Sequence, residues 1–194
     1  MGAVQTAKVV LDEEALGRTL VRIAHEIVEK NGDLSALALV GIHTRGVPTA
    51  HRLRRLIGSI KGGAEVALGT LDITFYRDDL YVRDGDAPLH PQPVVKATRL
   101  DFPLEGKTCV LVDDVLHTGR TIRAAIEALF AYGRPARVQL ACLVDRGHRE
   151  LPIRPDYVGK NLPTARGERV NVRVRELDGV DEVTIAQLQE ATTA

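Results

Sequence analysis

The chain has 194 residues, with 26 basic and 26 acidic side chains and no formal net charge. A global field that draws the protein to nucleic acid or a membrane is therefore excluded, and binding of nucleic acid would need a local basic surface. The length suits one domain over residues 1–194, and with 4% aromatic residues and no tryptophan its core must be aliphatic.

The sequence contains neither a metal-binding nor a membrane-spanning pattern. Cys109 and Cys142 are isolated among aliphatic residues and form no paired motif. No apolar run approaches ~18 residues, and the first residues lack a signal-peptide pattern. We therefore expect a cytoplasmic protein with no membrane partner.

Strands and helices alternate in the first third of the chain. Apolar spacing predicts a helix over 12–30 with Asp12 as its cap, and a strand at Leu37–Ile42 that is buried on both faces. A helix is predicted over Gly46–Ile60 and a second strand over 65–74.

Residues 76–106 contain several prolines and no sustained period, which is typical of a lid or a disordered loop. Regular structure resumes with a strand at 108–114, a helix at 120–132, a strand at Arg137–Asp145 and a half-exposed strand at 170–176. This alternation predicts an α/β fold with a mainly parallel twisted sheet flanked by helices.

Ligands of parallel sheets bind where strands end, which directs attention to the loops 43–46, 115–120 and 145–152. The middle loop belongs to the sequence VLVDDVLHTGRT, residues 110–121. Its two adjacent acids can accept hydrogen bonds from the 2′ and 3′ hydroxyls of a ribose. Residues 118–121 open a helix, whose free amides favour a phosphate. The spacing therefore predicts that both ends of a ribose 5-phosphate are bound.

Two other protein classes also place acids at the end of a buried strand. P-loop NTPases require a G-x-x-x-x-G-K-[ST] element, which this sequence lacks. Receiver domains have no use for the Thr-Gly-Arg-Thr segment that follows. If Thr118 merely capped the helix, the two acids would have no explanation.

Residues 109–121 resemble the phosphoribosyl pyrophosphate (PRPP) signature of type I phosphoribosyltransferases. From about 9 to 183 the chain resembles a family of bifunctional proteins that attenuate pyrimidine operons and are also uracil phosphoribosyltransferases. The most specific stretches are residues 22–27, 71–80, 144–154 and 157–161. The resemblance implies the type I fold and the conversion of uracil and PRPP to UMP and pyrophosphate. It also implies Mg²⁺ bound mainly through PRPP, the ligands UMP and UTP, and a homodimer or homotetramer.

The resemblance also assigns site residues. Catalysis falls to Arg45, Asp113 and Asp114. The set that binds PRPP or UMP is Thr44, Arg45, Asp113, Asp114, Val115, Leu116, His117, Thr118, Gly119, Arg120 and Thr121. A flexible hood over 76–106 begins with Tyr76, Arg77, Asp78 and Asp79, and the uracil pocket is bordered by Asp145 and Arg146. His117 and Ala165 depart from the tyrosine and serine usual in the family.

A second function on RNA is suggested by grouped basic residues. Arg18, Arg22 and His25 share one face of the first predicted helix, although the spacing alone favours an ordinary solvated face. The resemblance implies binding of pyrimidine operon leader mRNA, with Val21 standing where a threonine is typical. The implied RNA-binding residues are Arg18, Arg22, His25, Lys30, His148, Arg149, Arg154 and Lys160. The alternative is a phosphoribosyltransferase for another base with no RNA role.

Overall fold

The computed structural model describes residues 7–77, 95–165 and 167–187. In chain order the elements are β1 (Lys8–Leu11), α1 (Glu13–Lys30), β2 (Leu37–Ile42), α2 (Gly46–Ile60), β3 (Ala67–Leu71), β4 (Thr108–Leu116), α3 (Arg120–Phe130), β5 (Arg137–Asp145), β6 (Tyr157–Asn161), β7 (Glu168–Arg173), α4 (Arg175–Asp178) and β8 (Glu182–Gln187).

Five parallel strands form the main sheet in the order β3-β2-β4-β5-β6. Alternate residues of β2 face opposite layers: Leu37 and Leu39 pack with α1 and α2, whereas Ala38 and Val40 pack with α3. Both faces are therefore apolar, which explains the continuous hydrophobic run of this strand. The predicted α/β fold with a parallel sheet flanked by helices is confirmed.

A second, antiparallel sheet in the order β1-β8-β7 was not predicted as a unit. It combines strands from the two ends of the described chain, and its inner residues Val170, Val172 and Val183 join the core on the α1 side. The predicted strand over 170–176 is displaced, because β7 ends at Arg173. Residues 175–178 instead form a helical turn, which Gly179 ends with φ 74°.

The predicted hood segment 76–106 includes residues that belong to the packed body. Arg99 exchanges two backbone hydrogen bonds of 2.9 Å with Thr70 of β3. Leu104 is buried, and Leu100 and Phe102 pack against the same core. These apolar residues alternate along the chain and anchor 99–104 to the body in this structure, and the hood stays a prediction. Residues 78–94 of the segment, including Asp78 and Asp79, lie outside the described residues.

Candidate active site

Three loops predicted to bind ligand meet at one edge of the main sheet. The loop after β5 is tied to the loop after β4, since Arg146 N donates to Leu116 O at 3.1 Å. Glu150 N and Leu151 N both donate to Thr118 O at 3.0 Å. The loop after β2 lies against β4, where a Cβ on Gly46 would sit 2.2 Å from Val112 O. Only glycine permits this close approach.

The two acids at the end of β4 differ in environment. Asp113 is 6% exposed, whereas Asp114 is half-buried and lines a cavity of about 460 Å³. Asp113 Oδ1 accepts from Asp114 N, and Asp114 Oδ1 accepts from Val115 N, both at 2.9 Å. Burial, reinforced by the neighbouring Asp114 carboxylate, raises the pKa of Asp113 well above its usual range. The pair therefore favours a ligand that brings hydroxyl donors or positive charge.

The segment that was predicted to bind the 5′-phosphate encloses a second cavity. Residues 115–122 and Glu150 line about 310 Å³. Gly119 has φ 95°, and no side chain caps α3 at this residue. A Cβ there would lie 3.3 Å from Leu151 Cβ and from Ile153 Cδ1, so the loop packs tightly on its outer side. Arg120 N donates to Thr118 Oγ1 at 3.3 Å, and the amides that follow in the first turn have no side-chain cap and can receive an anion in this cavity.

Thr44 and Arg45 follow β2, and each contacts a residue that the sequence did not single out. Lys96 Nζ donates to Thr44 Oγ1 at 3.0 Å. Arg45 Nε and Nη2 donate to the two carboxylate oxygens of Asp178, at 3.2 and 2.8 Å. Arg45 and Asp178 line the same cavity as Asp114. Lys96 is the one lysine between positions 76 and 106, which could have drawn attention to it. No sequence signal links Asp178 to Arg45.

The predicted uracil-pocket residues hold the β5 loop together. Asp145 accepts from Gly147 N at 3.0 Å and from Arg149 Nη2 at 2.5 Å. Arg146 donates to Thr164 Oγ1 at 3.2 Å and to Glu168 O at 2.8 Å. Burial, with nearby Arg169, lowers the pKa of Arg146. Both side chains are therefore in fixed positions beside the loop after β4, whose residues 118–121 were predicted to bind the 5′-phosphate.

Three more of the predicted site residues are His117, Arg77 and Tyr76. His117 stacks edge-on with His148, with ring centroids 6.1 Å apart. Burial, with nearby Arg146, lowers the pKa of His117. Arg77, just after the 3-10 turn at Thr74–Tyr76, favours the charged form of the buried Asp113 and so opposes the rise in its pKa. Tyr76 packs against the core on the α3 side.

The predicted RNA-binding residues fall into two groups. Arg18, Arg22 and His25 are exposed on α1, and Arg22 Nη2 donates to Val158 O at 3.0 Å and Gly159 O at 2.5 Å in β6. Lys30 Nζ lies 2.6 Å from Asp156 Oδ1 beside the start of β6, and Lys160 lies on β6 itself.

The second group lies beside the candidate active site. Arg149 donates to His117 O at 2.7 Å and to Ile153 O at 2.9 Å, in addition to its ion pair with Asp145. A ring nitrogen of His148 lies 2.6 Å from Thr164 O. Arg154 is exposed. Arg149 thus serves as an internal link between loops, which its sequence neighbourhood did not reveal.

The described elements contain no helix long and apolar enough to cross a membrane. Within residues 7–77, 95–165 and 167–187, no three His, Cys, Asp or Glu side chains are grouped so that they could hold a metal ion. Both cysteines are free thiols in the interior.

Comparison with known proteins decides the family. The profile described as "Phosphoribosyl transferase domain" matches residues 7–175. The chain belongs to the phosphoribosyltransferase family. "Bifunctional protein PyrR" of Acetivibrio thermocellus is 55% identical over 93% of this chain and 95% of its own. The protein of the same name from Thermus thermophilus is 58% identical over 90% of this chain and 92% of its own. The chain is therefore of the same family as the PyrR proteins.

Solved phosphoribosyltransferases show the same fold. The hypoxanthine phosphoribosyltransferase of Trypanosoma cruzi superposes with a TM-score of 0.68 at 19% identity, covering 94% of this chain and 97% of that one. The corresponding Staphylococcus aureus structure gives 0.64 at 19% identity, covering 96% and 94%. The predicted type I phosphoribosyltransferase fold is confirmed.

Proposed function

We propose that the protein transfers the phosphoribosyl group of PRPP to uracil, giving UMP and pyrophosphate, and that it also regulates pyrimidine operons by binding their leader mRNA. One observation carries the transferase half of the proposal. Asp114, next to the buried Asp113 on β4, lies five residues before Gly119 at the start of α3, and the two positions line separate cavities at the same edge of the sheet. The high identity to proteins named bifunctional supports the pairing of two functions.

Each group of residues at this edge of the main sheet is assigned to one part of the substrates. We assign the ribose 2′ and 3′ hydroxyls to Asp113 and Asp114, and the 5′-phosphate to residues 118–121. Thr44 and Arg45 receive the pyrophosphate, and Asp145 and Arg146 border the base. Bond cleavage leaves positive charge on the sugar and negative charge on the departing group. Catalysis therefore rests on positioning and on the electrostatic partners of the leaving group.

The residues present fit a magnesium ion that arrives with its substrate. The ion would be held mainly by phosphate oxygens of PRPP and by water, as Mg²⁺ prefers, while the carboxylate of Asp114 adds negative charge to the cavity without being required as a direct ligand. When bound, the ion would supply positive charge beside the diphosphate. Arg45 adds a second positive group from the protein.

The regulatory half of the proposal rests on how the basic residues connect to the nucleotide site. Arg22 joins α1 to β6, so the basic side chains of these elements form one surface. Arg149 and the amides of 150 and 151 are hydrogen-bonded to the phosphate loop at His117 and Thr118. UMP or UTP bound there would therefore change the segment that leads to Arg154 and β6. RNA phosphates would supply most of the affinity.

A paired assay tests both halves. Transfer from PRPP to a panel of bases should show uracil as the preferred acceptor, and preference for another base would favour the alternative function. A leader RNA titration with and without UMP should show tighter binding with UMP, and binding that UMP leaves unchanged would contradict the sensor role.

Surface variants then locate the RNA. Arg18→Gln with His25→Ala removes an exposed arginine and an exposed histidine of α1 without changing the bonds of Arg22. We expect weaker RNA binding and a reduced salt dependence. Arg134→Gln removes an exposed arginine just after α3, the helix on the opposite face of the sheet, and should leave binding unchanged. Equal effects of the two changes would argue against the α1 surface.

A further inference from the structure

Arg45 is held in place by a carboxylate on the helical turn between two strands of the second sheet. Asp178 ends α4, which connects β7 to β8, and it contacts Arg45 through both oxygens. The side chains of Arg45 and Asp178 are 36% and 19% exposed. The ion pair with Arg45 lowers the pKa of Asp178. A two-pronged contact of this kind fixes the plane as well as the position of a guanidinium group.

Arg52, within α2, fixes the element that carries Asp178. Arg52 lies seven residues after Arg45, two helical turns along the same face. Its Nε donates to Glu176 Oε1 at 2.7 Å and its Nη2 to Asp181 Oδ1 at 2.8 Å. The side chains of Arg52 and Asp181 are only 14% and 10% exposed. Asp178 is thus presented to Arg45 by a segment that is itself clamped to α2.

The contact leaves part of Arg45 available to a ligand. Asp178 accepts hydrogen bonds from Nε and Nη2 of Arg45. The third nitrogen, Nη1, makes no hydrogen bond to any residue in the described part of the chain. Both residues line the cavity that Asp114 also lines. If the ion pair of Arg45 and Asp178 only joined the two sheets, it would not need to line this cavity.

We propose that Asp178 is a positioning residue that orients Arg45 toward the leaving diphosphate of the phosphoribosyl donor. The inference rests on the proposed function, because it deepens the role of Arg45 at that site. Held from one side, Arg45 offers one nitrogen to the diphosphate and needs no reordering during the reaction. The carboxylate also reduces the net charge that Arg45 presents, so the product is not held too tightly.

Asp178→Asn provides the test. Asparagine keeps an acceptor for Val174 N, which Asp178 binds at 2.9 Å, but it loses the charge and the two-pronged contact. We expect kcat to fall about tenfold as orientation is lost. We also expect the KM for PRPP and the Kd for magnesium pyrophosphate to fall about threefold, the effect of one exposed ion pair. Damage to the fold would instead raise both constants.

A double-mutant cycle shows whether Asp178 acts through Arg45. In the Arg45→Ala background, Asp178→Asn should change neither kcat nor the affinity for pyrophosphate. Glu176→Gln is the matched control, because Glu176 is an acid of the same helix that pairs with Arg52, and Asp181 still holds that arginine. It should behave like wild type. Asp178→Ala serves as a second uncharged variant if Asp178→Asn does not fold.

Three results would overturn the inference. They are an unchanged kcat in both uncharged variants, weaker binding of pyrophosphate, or an equal loss when Arg45 is already alanine. The calorimetric titration with magnesium pyrophosphate needs no base. If the wild-type protein transferred phosphoribose to no base, the proposed function would fail while this titration still tested the link between Asp178 and Arg45.

Discussion

Replacing Asp113 with asparagine removes a buried negative charge but preserves the shape of the side chain. The remaining amide oxygen can still accept from Asp114 N, the contact that Asp113 makes at 2.9 Å. Because Asp113 is 6% exposed and lies beside another carboxylate, its charged form is unfavourable in the ligand-free protein. We expect Asp113→Asn to stabilise the ligand-free fold and to reduce transferase activity by roughly a hundredfold.

The sign and size of the expected change in stability follow from how the protonation of Asp113 depends on pH. The pKa of Asp113 is higher in the folded protein than in the unfolded chain. At any pH between these two pKa values, the folded state therefore binds more protons than the unfolded state. Its contribution to the free energy of unfolding therefore falls as pH rises from ~4 toward the folded pKa, by about 1.4 kcal/mol per pH unit. For a chain of this size each kcal/mol corresponds to roughly 2–4 °C in Tm.

Urea unfolding of wild type and Asp113→Asn from pH 5 to 8, without PRPP, measures this difference directly. Other carboxylates, such as Asp178 and Asp181, contribute equally to both proteins and cancel. Asp101→Asn, an exposed site, is the control and should follow wild type. The reasoning about the buried pair would be refuted if the free energies of unfolding of wild type and Asp113→Asn changed in parallel with pH. It would also be refuted if Asp113→Asn were less stable than wild type at pH 8.

Three further changes test other parts of the structure. Gly119→Ala places a Cβ on a residue with φ 95°, so it should lower the free energy of unfolding by about 1 kcal/mol. It should also weaken PRPP binding in a calorimetric titration. Unchanged stability would contradict the tight packing of this loop. Lys96→Met removes the donor to Thr44 and should raise the KM for PRPP severalfold, with Lys61→Met, an exposed lysine after α2, as the control. Burial raises the pKa of Cys109 to about 11, so its thiol should react with a thiol reagent at pH 8 only after unfolding, and rapid reaction of the native protein would contradict its burial.

The main sheet was predictable because its signals are local. The apolar run of β2, the Asp12 cap of α1 and the Gly46 start of α2 each depend on neighbouring residues, and all lie where they were expected. The second sheet depends on pairing between β1 and β8, which are more than 170 residues apart. β1 is only four residues long, so its pattern is too short to predict alone.

The same distinction applies to the candidate site. The residues between Asp113 and Thr121 are contiguous, so their motif predicts a shared edge, and the structure brings them together there. The partners of Arg45 and Arg149 come from distant segments, since Asp178 is 133 residues from Arg45 and His117 is 32 from Arg149. Only the folded arrangement shows that Arg149, which was predicted to bind RNA, joins two loops of the candidate active site.

A crystal structure with PRPP and Mg²⁺ tests the account most directly. We predict the ribose 2′ and 3′ oxygens at about 2.5–3.0 Å from the carboxylates of Asp113 and Asp114, and the 5′-phosphate on the amides of residues 118–121. Arg45 should contact the diphosphate while Asp178 still holds its other side. Ordered PRPP bound elsewhere, with these carboxylates and amides in contact with solvent alone, would contradict the account.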